Sequence, residues 1–168
     1  MNSTPLQADA AAPRIVDRPP LAIAGFGIAL AGDPAASIPA LWQRFGAHIG
    51  HVPGQVQGAA YGVCRHSADD VDRFDYIAGC EVLEFAAIPA DWVRLTLPAQ
   101  RYAVFAHRGH AAESQRTVQS IFNDWLPAAG IAAIAAAPAT LGFFERYGAG
   151  FNPQTGLGDI EIWVPIRA

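Results

Sequence analysis

Near the C-terminus the sequence reads Thr140-Leu-Gly-Phe-Phe-Glu145-Arg-Tyr147. This strand-like run sets one carboxylate among aromatic rings. Alternate side chains on a strand share a face, so Leu141, Phe143, Glu145 and Tyr147 are expected to point one way and Gly142, Phe144 and Arg146 the other. A charge in an apolar row is costly to bury unless something pairs with it. Two kinds of partner are open: a protein cation, with Arg94 and Arg101 on neighbouring strand-like runs as candidates, or a ligand. A carboxylate walled by Tyr and Trp suits a lipophilic cation, because Coulomb attraction and cation–π contacts of about 0.5–2 kcal/mol each act together. Without a cation, burial should raise the pKa of Glu145, which also makes it a candidate general acid. Tyr61, Tyr147 and Trp163 are the expected walls, with Phe143 and Phe105 beside them. Trp42, Phe45, Phe122 and Trp125 fall on helix faces and are assigned to the core.

Other chemistry is thin. No Ser lies in a Gly-x-Ser-x-Gly context, and the glycines show no phosphate-cradling spacing. Cys64 and His66 would share a strand face, a weak nucleophile signal. Two cysteines give no disulfide framework, and free thiols in a reducing cytosol are expected. His107, His110 and Glu113 lack convincing metal spacing, so neither a metal nor a cofactor is expected.

The elements that must position Glu145 come in a repeated order. Leu21–Leu30 reads as a strand that Gly25 and Gly27 would bend. Asp33-Pro34 opens a helix with Ile38, Leu41, Trp42, Phe45 and Ile49 on its apolar face. Ala59–Arg65 and Phe74–Phe85 read as a strand pair. The second half has strand-like Val93–Leu97 and Arg101–His107, then a helix over about Ala112–Leu126. Strands Leu141–Tyr147 and Asp159–Ile166 complete it. Strand, helix, strand, strand thus occurs twice. Tyr61 precedes Asp75 by the same 14 residues that separate Glu145 from Asp159. Such tandem units pack about an approximate two-fold axis. That places Tyr61 and Glu145 at equivalent positions beside a cleft between the halves, where small-molecule sites tend to form.

The 168 residues suit one domain: an arm over 1–12, then a single unit over 13–168 in modules of about 13–90 and 91–168. All eleven basic residues are Arg and the net charge is −4, with no basic stripe. That argues against a nucleic-acid surface. No apolar run approaches bilayer length, and no leader pattern opens the chain. No membrane association and a cytoplasmic location are expected.

In order along the chain come Tyr61-Gly-Val-Cys, Phe74-Asp-Tyr-Ile-Ala-Gly79 and Tyr102-Ala-Val-Phe-Ala-His-Arg-Gly109. Trp125-Leu-Pro, Phe144-Glu-Arg-Tyr147 and Asp159-Ile-Glu-Ile-Trp-Val-Pro165 follow. This ordered set resembles the GyrI-like, effector-binding domain of AraC- and MerR-type bacterial regulators, from about Leu21 to Ile166. The resemblance implies an α+β fold of tandem βαββ modules with pseudo-two-fold symmetry. It further implies a curved antiparallel sheet, two main helices and a central cleft, with Glu145 as the pocket glutamate. Only an arm of about 20 residues precedes the matched region, so a stand-alone domain is expected and not a DNA-binding regulator. The expected function is binding of a small, apolar, cationic molecule, in drug sequestration or sensing. The alternatives are hydrolysis of cyclopropane-type compounds in the same pocket, with Glu145 and Tyr147 as its groups, and modulation of a protein target such as gyrase. An enzyme is the less favoured reading, since no nucleophile or second catalytic group stands at a diagnostic spacing.

Overall fold

The computed structural model describes residues 12–30 and 34–167. Eight strands form one antiparallel sheet: β1 (Arg14–Arg18), β2 (Leu21–Ala29), β3 (Ala59–His66), β4 (Phe74–Glu81), β5 (Val93–Leu97), β6 (Gln100–His107), β7 (Leu141–Gly148) and β8 (Ile160–Ile166). Helix α1 covers Pro34–Gly46. A second helical run opens with a 3-10 turn at Ala111–Glu113 and continues as α2 (Ser114–Ser120). It then passes through a π-helical turn at Ile121–Trp125 and ends as α3 (Leu126–Ala129). The expected arm lies outside the described residues except for Ala12, and so does Asp33, the expected helix opener.

The strand order β1-β6-β8-β7-β3-β4-β2-β5 reads as two mirrored halves. Each βαββ unit, β2-α1-β3-β4 or β6-α2-β7-β8, forms one half, and β3 and β7 meet at the centre. The two lead strands are exchanged. β1 pairs with β6 and β5 with β2, so each half borrows its edge from the other half's side of the chain. The segment read as an extended lead-in, Pro13–Pro20, supplies β1.

Strand alternation divides the core. One face carries a single cluster drawn from every strand, with Tyr61, Tyr102, Phe144 and Trp163 at its heart. No helix contributes to it, so the curved sheet buries this face with its own side chains. Phe144 stacks on Trp163 at 5.3 Å and meets Tyr61 and Tyr102 edge-on at 5.7 and 5.4 Å. The other face carries two clusters, one under each helical run. Leu41 and Phe45 pack with Tyr76, Ala78 and Cys80. Val118, Ile121 and Leu126 pack with Phe105, Phe143 and Ile162. The first helix thus sits over its own half, while the cluster under the second run also takes in Phe143 and Cys64 of the central strands.

The registers correct two expectations. Cys64 pairs with Phe143 but Arg65 pairs with Leu141, so Gly142 is an extra residue in β7. A bulge of this kind shifts the alternation by one, and Leu141 joins Phe144 instead of Phe143. Tyr61 and Glu145 are not equivalent either. Tyr61 packs with Phe144 in the strand-only cluster, while Glu145 points to the helix-bearing face. An axis through the sheet preserves faces, so a shared 14-residue offset could not make them counterparts.

Phe144 is fully buried and touches three aromatic rings. Phe144→Ala is expected to cost about 3–5 kcal/mol of stability, read as a lowered urea midpoint.

Candidate functional site

β7 places Glu145 on the helix-bearing face directly across from Gly62 of β3. The carboxylate is 3% exposed. The Tyr76 hydroxyl, reaching over from β4, donates to Glu145 Oε1 at 2.8 Å. The Trp42 indole N–H of α1 donates to the same phenol oxygen at 3.0 Å. These two bonds fix the direction of the chain, indole to phenol to carboxylate. The Ser114 and Tyr147 hydroxyls lie near enough to favour the ionised form of Glu145. Gly62 makes the approach possible. A Cβ there would collide with the Tyr76 hydroxyl and come within 2.8 Å of Glu145 Oε1.

Among the described residues, no cation pairs with this carboxylate. Arg101 is held by Asp17 at 2.8 Å, and Arg94 donates to the Ile88 carbonyl at 2.7 Å. Arg146, its sequence neighbour, alternates to the other face and lies 3.6 Å from Glu161. Burial therefore raises the Glu145 pKa, and hydrogen bonds from Ser114, Tyr76 and Tyr147, with the charge on His107, only partly oppose it. Burial and the adjacent carboxylate push the Tyr147 and Tyr76 phenols far up. Both remain hydroxyl donors at any working pH.

A cavity of about 940 Å³ opens above this group, between α1 and the start of the second helical run. Its walls include Ile38, Trp42, Tyr147 and Phe151, and among the described residues Glu145 is the one Asp, Glu or Arg that lines it. Trp42 and Tyr147 meet edge-on at 5.4 Å, and Tyr147 leans on Phe151 at 4.8 Å. His110, whose Nδ1 accepts from the Ala112 N–H at 2.9 Å, stands at the margin.

Of the residues singled out from sequence, the structure brings Glu145 and Tyr147 to the cavity. Phe143 and Phe105 lie in the core beneath α2. Tyr61 and Trp163 lie on the opposite face. Alternation accounts for the placement of Trp163, because Ile162 and Val164 take the helix side. Trp42, assigned to the core, belongs equally to the cavity wall. Tyr76 carried a readable signal: it is a phenol sharing its strand face with Ala78 and Cys80, and a buried phenol needs a partner.

The weaker signals resolve as structure. His107 is buried, its Nε2 2.9 Å from the His110 carbonyl and its Nδ1 2.7 Å from Thr117 Oγ1. A carbonyl only accepts, so Nε2 carries a proton. The Cys64 thiol is pushed up to about 12 by burial and by the charges of Glu145 and Asp75, the opposite of an activated nucleophile. Among the described residues, no cluster of three His, Cys, Asp or Glu could hold a metal ion. No helix there is long and apolar enough to cross a membrane.

Comparison with known proteins places the chain. Residues 11–167 match the family model of the GyrI-like small molecule binding domain, and the chain belongs to that family. It is 32% identical over 158 residues to the transcriptional regulator BrlR of Pseudomonas aeruginosa, covering 91% of this chain and 54% of the regulator. The chain thus spans about half the length of that curated relative. Its fold is shared with SAV2435, solved bound to tetraphenylphosphonium (TM-score 0.71, 19% identity, 94% and 95% of the two chains). It is also shared with the C-terminal domain of EcmrR (TM-score 0.65, 13% identity, 95% and 98%).

The raised carboxyl sets a sign for stability. Between its ordinary pKa and its raised value in the folded protein, the folded state holds more protons than the unfolded one. Stability must then fall as pH rises through that window. Glu145→Gln keeps the acceptor without the titration. The variant is expected to lack the decline, with urea midpoints measured from pH 4 upward as the check.

Proposed function

We propose that the cavity binds a lipophilic organic cation, with Glu145 as the counter-charge, in a protein that senses or sequesters such compounds. The observation that carries this reading is a buried carboxylate on the cavity wall that hydrogen-bonds to hydroxyls but pairs with no protein cation among the described residues. Burying an ionised carboxylate costs several kcal/mol unless it is compensated. A ligand cation supplies the missing charge, and the rings of Trp42, Tyr147 and Phe151 supply cation–π contacts. Glu145 and Tyr147 touch the ligand in this reading. Phe143 and Phe105 support the site from the core under α2, and Tyr61 and Trp163 do so from behind the sheet. The tetraphenylphosphonium bound to SAV2435 is a compound of the same class, and the regulator relative supports sensing.

One observation favours a second reading. A carboxyl with a raised pKa beside two phenols is also a general acid, which suits hydrolysis of strained, reactive small molecules. Mass spectrometry of such compounds incubated with the protein separates the two, since unchanged compound bound stoichiometrically means a binder.

Tetraphenylphosphonium is expected to bind at micromolar level, about −8 kcal/mol, by calorimetry. Glu145→Gln should weaken the cation by about tenfold or more and leave a neutral analogue of the same shape unchanged. Equal losses for both would make the carboxylate structural. The cation needs the ionised acid, so its affinity should fall as pH drops through the raised pKa. Within that window binding should release a proton, seen as a buffer-dependent heat.

A further inference from the structure

Five of the chain's eight glutamines line this single cavity. Gln43 comes from α1, Gln55 and Gln57 from the segment before β3, Gln115 from α2 and Gln154 from the β7–β8 loop. They arrive from four separate parts of the chain and are half-buried or exposed, which makes them a collar around the aromatic interior. An amide donates two hydrogen bonds and accepts at its oxygen while adding no charge. A collar of amides therefore leaves the field of Glu145 intact and recognises hydrogen-bonding groups.

Gln55 is the oriented member. Its Oε1 accepts from the Gly50 N–H at 2.9 Å, where the chain leaves α1. That bond assigns the amide, because the oxygen is committed to the backbone and the NH2 is the end left for a ligand. Among the described residues, no protein acceptor takes that NH2. A hydrocarbon cation satisfies Glu145 and the aromatic wall but offers Gln55 nothing.

We propose that the cavity is built for a cation that also carries a carbonyl-type oxygen, and that Gln55 is the specificity residue that donates to it. This rests on the cation reading above and adds the polar half of the ligand. The positive centre sits against Glu145 on β7, and the acceptor lies toward the C-terminal end of α1.

A matched pair of probes tests it: tetraphenylphosphonium, and the same cation with an acetyl group on one ring. Both are titrated by calorimetry into the wild-type chain and into Gln55→Met. The wild type should prefer the acetyl compound by about two- to tenfold, the worth of one net hydrogen bond. In Gln55→Met the ratio should return to near one while tetraphenylphosphonium still binds. If the Met variant fails to fold, Gln55→Glu keeps the acceptor for the Gly50 N–H and removes the donor. Its added charge acts on both cations alike, so the ratio remains readable and should fall to one or below. Equal wild-type affinities, or a preference that survives both substitutions, overturn the proposal and leave the cation reading standing. If neither cation binds the wild type, the cation reading fails and this inference with it.

Discussion

A carboxylate buried against hydroxyl groups, with no cation paired to it among the described residues, is the constraint on which this site depends. A hydrogen bond to a charged acceptor is worth about 1.5–3 kcal/mol; Tyr76 donates one, and the Tyr147 and Ser114 hydroxyls also favour the ionised form. Together these offset much of the desolvation, but neutral donors do not neutralise charge. The result is an acid held in place and left electrostatically unfinished. An Arg in the same position would have closed the account and turned the site into core. Hydroxyl donors hold Glu145 in place and leave it a titratable acid with a raised pKa.

The sheet produces that state by alternation and close approach. Arg146 follows Glu145 in sequence, and strand geometry sends it to the opposite face, where Glu161 takes it. The register of β3 on β7 sets Gly62 across from the carboxylate, and the absent side chain is the space through which the Tyr76 hydroxyl arrives. The second helical run covers Phe143 and Cys64 on the central strands, while α1 packs on β2 and β4. The cavity opens where neither covers the sheet, over the Glu145–Gly148 end of β7 and the start of β3. Trp42 joins the two levels: it packs on Phe45 within the α1 cluster and donates to Tyr76 at the site.

What the sequence made legible was periodic or ordered along the chain. Strand alternation put Glu145 and Tyr147 on one face, and the helical spacing of Leu41 and Phe45 marked the buried side of α1. The ordered motifs pointed to the tandem architecture. What it hid depended on pairing between distant strands. The bulge at Gly142 exists only relative to β3, so strand alternation alone sends Leu141 to the wrong face. The equal spacing of Tyr61 and Glu145 from later aspartates carried no information about which face each one takes. Trp42 shares its helical stripe with core residues, and only the position of the other helix decides that one edge of that stripe meets a cavity. Tyr76 and Glu145 lie 69 residues apart, and no local pattern links them.

The modules are alike in architecture, yet the site they share is chemically one-sided. Two carboxylates meeting at the central strand pair would each raise the other's pKa and hold a shared proton, and such a site would respond to acid more than to a ligand. Here one half supplies the acid from β7, while the other supplies the glycine of β3, the phenol of β4 and the indole of α1. A repeated scaffold with complementary chemistry in its halves brings the Glu145 carboxylate to the central strand pair. Because its hydroxyl donor Tyr76 comes from the other module, the site exists only where the two halves meet.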